Sequence, residues 1–236
     1  MSAGGERLSR SAALLGDAAM ARLSAAKVLV VGVGGVGSWC AEALARTGVG
    51  HLTLLDDDTV AESNLNRQCP ATVRTLGRAK VEAMAERLRE AAPEVEVVAL
   101  NRRYAAETAA GFDLGGYDAV ADAIDSVDCK AELILGATEA GVPLVSSMGA
   151  ALRTDPTQVR VTRFEKVEGD GLARALRQRF KRLGRFPGRF EAVWSAEAPA
   201  RCEGRGSLMT VTAAFGMAAA ARIIDIIIKE KGETET

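Results

Sequence analysis

Residues 27–58, KVLVVGVGGVGSWCAEALARTGVGHLTLLDDD, decide the fold. An apolar run Val28–Val31 enters Gly32-Val33-Gly34-Gly35-Val36-Gly37, a helical pattern follows to Arg46, and a second apolar run Leu52–Leu55 ends in Asp56, Asp57 and Asp58. That order is strand, glycine turn, helix, strand, and its chemistry is nucleotide binding. Gly32, Gly34, Gly35 and Gly37 let the backbone approach phosphate, the helix N-terminus offers unpaired N–H groups, and an acid after the second strand, Asp56 or Asp58, can hold ribose hydroxyls. A lone G-x-G-x-x-G is weak, but here the strand before, the helix after and the acid about 20 residues on agree.

Outward from this unit the pattern repeats. Val95–Asn101, Tyr117–Ile124 and Leu144–Met148 read as further strands, with helical stretches at Gly77–Ala92, around Ala105–Ala110 and from Ser126 to Ala140. A leading helix spans Leu8 to Leu23. This alternation predicts a Rossmann-like α/β fold with a doubly wound, mostly parallel sheet. After Gly149 the pattern changes: Gln158–Phe164 alternates like a half-exposed antiparallel strand, Glu191–Ser195 is another short strand, and Ala196–Gly206 is a loop holding Cys202. Antiparallel additions are therefore expected in the C-terminal third.

The composition narrows the class. The 236 residues suffice for one α/β domain with a full core, and 48% apolar content with only 4% aromatics suits helices packed closely on a sheet. A net charge of −1 gives no global attraction to nucleic acid or membrane, so a polyanion needs a local patch. Leu172–Arg189 supplies one: Arg174, Arg177, Arg179, Lys181, Arg182, Arg185 and Arg189 occur without an acid, interleaved with Phe180, Phe186 and the following Phe190. Leu208–Ile228 is apolar enough to resemble a membrane span, yet Arg222 and Asp225 lie inside it, so a core helix is expected and no membrane partner. Cys40, Cys69, Cys129 and Cys202 form no C-x-x-C pair, which fits free thiols in the cytoplasm.

The glycine turn is shared with NAD-dependent oxidoreductases, but one histidine, His51, leaves few acid–base candidates for hydride chemistry. The polar stretch Thr59–Leu76 is long for a connection and suggests function. Asn64, Arg67 and Lys80 fall where a phosphate chain would leave the turn, and Asp125 comes from the neighbouring strand end. Two cations, an amide and a carboxylate suit nucleotidyl transfer from ATP, with the acid holding Mg²⁺. A non-catalytic nucleotide sensor is the rival that ATP turnover would exclude.

VVGVGGVGSW, LLDDDTVAESNLNRQ, GRAKVEAM and DAIDS resemble, in order and spacing over residues 7–150, the adenylating domain of the ubiquitin-activating-enzyme-like superfamily. The resemblance implies that the glycine turn and Asp56 hold adenosine, that Asn64, Arg67 and Lys80 hold phosphates and that Asp125 holds the metal. Arg10, in RLSRSAALLG, resembles an arginine that reaches the ATP of the other subunit of a homodimer. DAIDSVDCKAEL, TDPTQVRVTRF and MTVTAAFGMAAA are similar to the bacterial branch that dehydrates threonylcarbamoyladenosine in tRNA. The implied layout is one adenylating domain, 1–236, in which residues 1–150 bind ATP and residues 151–236 bind the acceptor and form the dimer. Its implied reaction adenylates the threonine carboxylate and closes a ring within the same side chain. The tRNA phosphates are then expected on Arg177, Arg179, Lys181, Arg182 and Arg185, and Cys202 reads as a plain loop cysteine, with a thiol serving a sulfur-relay protein as the alternative. The alternative is activation of a ubiquitin-like sulfur carrier, whose enzymes often carry the C-x-x-C zinc pairs missing here.

Overall fold

Strands covered on both faces have no polar side, which is why the runs at 28–31, 52–55 and 119–121 are almost unbroken in apolar residues. The structure, a computed structural model, describes residues 5–201, 204 and 206–229. β1 (Lys27–Val31), β2 (His51–Leu55), β3 (Glu96–Leu100), β4 (Ala119–Asp122), β5 (Leu144–Ser147), β6 (Val159–Arg163) and β7 (Glu191–Ser195) form one 7-stranded sheet in the order β3-β2-β1-β4-β5-β7-β6. Every neighbouring pair is parallel except β6 with β7. The strand order reverses between β1 and β4, and a crevice opens at their carboxyl ends.

Helices cover both faces: α1 (Ser9–Leu15), α2 (Asp17–Ala25), α3 (Gly37–Thr47), α4 (Lys80–Ala91), α5 (Val127–Glu139), α6 (Gly171–Leu183) and α7 (Met209–Ile228). Leu23, Leu44, Met84 and Phe215 pack one face, and Ile134, Leu176 and Phe180 the other. α7 is long and apolar enough to cross a membrane by length and composition. It packs against α3: Phe215 is fully buried, and a Cβ on Gly216 would come 2.5 Å from the Val36 carbonyl oxygen, so only glycine admits this approach.

Several sequence expectations are corrected. The leading helix is two, α1 and α2, because Gly16 adopts φ 82°, ψ 160° between them. Leu14 on α1 is 84% exposed, while Leu23 on α2 is buried. Around Ala105–Ala110 there is no α-helix, only a short 3₁₀ turn at Ala109–Gly111. The basic stretch is helical only to Leu183, where Gly184 at φ 63° caps it, so Arg185 and Arg189 follow the helix. The antiparallel addition expected in the C-terminal third is present as the β6–β7 pair, with β7 itself parallel to β5. Cys202 and residues 230–236 lie outside the described residues.

Candidate active site

A cleft of about 770 Å³ occupies the crevice. Its floor is the glycine turn. Gly32 holds φ +88°, and a Cβ there would lie 2.7 Å from the Ala123 carbonyl oxygen, so the loop after β4 can cross directly over the turn. Gly34 and Gly35 instead line the cleft. α3 begins without a side-chain cap, so its first-turn N–H groups suit an anion. Asp56 braces the turn: its carboxylate accepts from Val33 N at 2.6 Å and Asp58 N at 2.9 Å. A carboxylate has about four acceptor sites, so ribose hydroxyls can still be held. Burial pushes the Asp56 carboxyl up, and Lys80 works against it.

The polar stretch is a built loop. Thr59 pairs with Ala79 in an isolated bridge, and 3₁₀ turns form at Glu62–Asn64 and Val73–Thr75. α3 pins it: the Trp39 indole donates to the Arg67 carbonyl at 2.9 Å, and the Ser38 hydroxyl accepts from Cys69 N at 3.1 Å. Behind it, Glu42 accepts both Arg87 and Arg46, and burial pushes the adjacent Cys69 thiol up to about 12. Asn64 uses its carbonyl to cap Ala61 N at 3.1 Å, and Arg67 donates to Ser63 O and Asn66 Oδ1, both at 2.8 Å. Lys80, at the start of α4, places Nζ 2.6 Å from Asp58 Oδ2. Asp58 thus holds the Lys80 ammonium at the edge of the cleft. Asn64, Arg67, Lys80 and Asp125 all line the cleft, together with the glycine turn and Asp56.

Asp56, Asp57 and Asp58 bring carboxylate oxygens within 4.8 Å of one another, but Asp57 is paired with Arg103 and Asp58 with Lys80. Asp125 differs: it is exposed and has no hydrogen bond or ion pair of its own among the described residues. A hard oxygen donor facing a phosphate site fits Mg²⁺, which takes one or two carboxylates plus phosphate oxygens.

Sequence reasoning missed some of this cleft. Arg102 and Arg103, directly after β3, line it, and so does Gln68, a buried side chain whose Oε1 has no partner. Gln68 could have been found, since it ends the S-N-L-N-R-Q run. The other half of the cleft is lined by Ser147–Leu152, Gly171, Leu172, Ala175, Ser207 and Thr212. It is mostly small residues, with Leu152 at φ 62°, strained for a side chain of its size. Leu152 is stitched into its neighbours by hydrogen bonds to Gly206 O at 2.8 Å and from Ala200 N at 2.7 Å.

The remaining candidates lie elsewhere. Arg10 is exposed on α1, and the turn just before α1 docks at the amino ends of the strands through Arg7 to Glu94 and Leu8 against Gly48, so Arg10 does not line the cleft of its own chain. Much of the basic helix is already engaged. Arg177 donates to the Phe164 and Val167 carbonyls and lies over the Phe164 ring, Arg179 pairs with Asp128, and Arg185 bridges Glu132 and Glu139. Phe180 and Phe190 belong to the core, Phe190 stacked on Phe164, and of the three interleaved aromatics only Phe186 is exposed. Lys181 and Arg182 are exposed and unpaired among the described residues.

Comparison with known proteins places this geometry among relatives. The ThiF family matches residues 8–236. A tRNA threonylcarbamoyladenosine dehydratase of Escherichia coli is 45% identical over 176 residues, covering 75% of this chain and 66% of that protein. The Haemophilus influenzae dehydratase of the same name is 36% identical over 233 residues, covering 90% of this chain and 89% of its own. The crystal structure of E. coli tRNA N6-threonylcarbamoyladenosine dehydratase in complex with ATP superposes with a TM-score of 0.89 at 40% identity, covering 94% of this chain and 93% of that one.

Proposed function

The chain belongs to the ThiF family, and on that premise we propose that its cleft adenylates the threonine carboxylate of threonylcarbamoyladenosine in tRNA and lets the activated carbonyl close into a ring, with net loss of water. The observation that carries this reading is the convergence of Asn64, Arg67, Lys80 and Asp125 on the glycine turn, beside a second half-cleft of small residues. The relatives' names supply the substrate.

ATP lies with its adenosine toward Asp56 and its phosphates toward the α3 N-terminus, Arg67 and Lys80. A carboxylate is a poor electrophile until one oxygen has a good leaving group. One oxygen of the threonine carboxylate attacks the α-phosphorus, the bond to the β-phosphate oxygen breaks, and pyrophosphate leaves. Arg67 and Lys80 neutralise the charge that grows on the phosphates, and fixed cations in a cleft contribute more to that than water does. The ureido group of the same side chain then attacks the acyl carbon. The bond to AMP breaks, a proton leaves the ureido group, and the carboxylate oxygen departs on AMP. Closure inside one side chain has a high effective molarity, so no protein nucleophile is required.

We assign Asp125 as the ligand of Mg²⁺, which when bound supplies charge neutralisation to the phosphates. The further assignments are of the same kind. Within the single domain, 1–236, we give ATP binding to residues 1–150, and acceptor binding and dimerisation to residues 151–236. Arg10 serves the ATP of a second copy, because it stands at the far end of the sheet from its own cleft. The exposed Met209 and Met217 on α7 offer apolar surface to that copy. Lys181 and Arg182 take tRNA phosphates, whereas Arg177, Arg179 and Arg185 shape the protein itself. Cys40, Cys69 and Cys129 are free thiols, which suits the cytoplasm. The test is incubation with ATP, Mg²⁺ and tRNA carrying threonylcarbamoyladenosine, followed by nucleoside mass analysis. Loss of one water from the modified nucleoside is expected, and an unchanged mass refutes the assignment.

A further inference from the structure

Beneath the cleft lies an ion pair to which the reaction above gives no work. Lys130 in α5 and Asp122 at the end of β4 have fully buried side chains, with Nζ 2.9 Å from Oδ2. Two buried charges cost more to desolvate than their attraction returns unless further hydrogen bonds satisfy both, so such a pair is poor support for a role in stability alone.

The further bonds here are specific. Lys130 Nζ donates to the Ile124 carbonyl at 3.0 Å, and Ile124 N donates to Asp122 Oδ1 at 3.1 Å. Ser146 donates its hydroxyl to Asp122 Oδ2 at 2.6 Å. One residue, Ile124, is thus held at both its N–H and its carbonyl by the two members of the pair, and the next residue is Asp125. From the other side, Ala123 N donates to Val31 O at 2.8 Å, and the Gly32 turn packs directly on the Ala123 carbonyl. Burial pulls the Lys130 ammonium down from its ordinary value, and Asp122 opposes that pull most strongly.

We propose that Lys130 is a positioning residue of this site: together with Asp122 it locks the Ile124 backbone and so aims the Asp125 carboxylate into the cleft. The inference rests on the adenylation reading for its activity measurement, but its binding measurement does not.

The decisive variant is the double substitution Lys130→Met with Asp122→Asn. It removes both charges, keeps an oxygen for Ile124 N, and avoids the lone buried charge that makes either single change unfold a protein. ATP–pyrophosphate exchange, melting temperature, and ATP affinity by calorimetry with Mg²⁺ and with EDTA are measured for each protein. A positioning role predicts a melting temperature near that of the unsubstituted protein, kcat for exchange down by about 10- to 100-fold, as for outer-shell partners of metal ligands, and loss of the tightening of ATP by Mg²⁺, with affinity in EDTA unchanged. Unsubstituted kcat and Mg²⁺ tightening in the double variant overturn the proposal. Should the double variant not fold, Ser146→Ala loosens Asp122 while leaving both charges; a partial loss of Mg²⁺ tightening is expected, and none overturns the proposal. If the unsubstituted protein itself shows no exchange, the adenylation reading falls, and the two calorimetric affinities still decide the role of Lys130.

Discussion

Replacing Lys80 by methionine should separate catalysis from folding. The Lys80 side chain is 7% exposed and its ammonium sits 2.6 Å from Asp58, but the Asp58 side chain is 61% exposed. An ion pair with one member so well solvated contributes about 0–1 kcal/mol to stability. Methionine keeps most of the aliphatic stem at the start of α4, and the Asp58 carboxylate left behind stays in water. One kcal/mol in a chain of this size shifts the melting temperature by roughly 2–4 °C, which bounds the structural effect. The effect on reaction should be larger, because the proposed role sets Lys80 against phosphates whose charge grows as pyrophosphate departs. Loss of one preorganised donor of this kind costs about 2.7–4 kcal/mol, or 10²- to 10³-fold in kcat. The assay is ATP–pyrophosphate exchange at saturating ATP with tRNA carrying threonylcarbamoyladenosine, alongside thermal denaturation. A variant that melts within the bound and retains kcat to within tenfold would refute the role given to Lys80.

Other residues give independent checks. Gly216→Ala places a methyl group 2.5 Å from the Val36 carbonyl oxygen, and thermal denaturation should show a loss of about 1–3 kcal/mol, the usual cost of overpacking. Lys181→Glu with Arg182→Glu should weaken tRNA binding and lower its salt slope by about one for each phosphate deprived of its cation; Arg177→Ala should leave that slope unchanged and lower the melting temperature instead. Arg10→Ala and Asp125→Ala should each be inactive alone, yet a reassembled mixture should regain roughly a quarter of full activity, since a two-fold dimer of the two variants contains one intact site. No recovery on mixing would refute action across a dimer.

Much of this architecture is legible in the sequence because buried parallel strands must be continuously apolar and because a glycine turn needs its glycines. Glu191–Ser195 forms β7 over the residues its pattern marks. What local pattern cannot show is which partner a side chain finds. Asp122 and Asp125 both stand at the end of the fourth strand in sequence, yet one is sealed against Lys130 from α5 and the other faces the cleft. Arg177, Arg179 and Arg185 look like a solvated cationic face until α5 and the Phe164 turn are brought beside them. Gly16 illustrates a different limit: a single glycine costs a helix only about 1 kcal/mol, so nothing local reveals that it ends α1. Arg102 and Arg103 reach the cleft only because β3 lies beside β2 in the sheet, a fact of topology.

In the proposed reaction the carboxylate is activated as an acyl adenylate in this cleft. Its most direct test is turnover of tRNA whose threonylcarbamoyladenosine carries ¹⁸O in both carboxylate oxygens, followed by mass analysis of the products. Attack on the α-phosphorus predicts one labelled oxygen in AMP, unlabelled pyrophosphate, and a cyclic nucleoside retaining the other. Label in inorganic phosphate with formation of ADP, or AMP free of label, would contradict it.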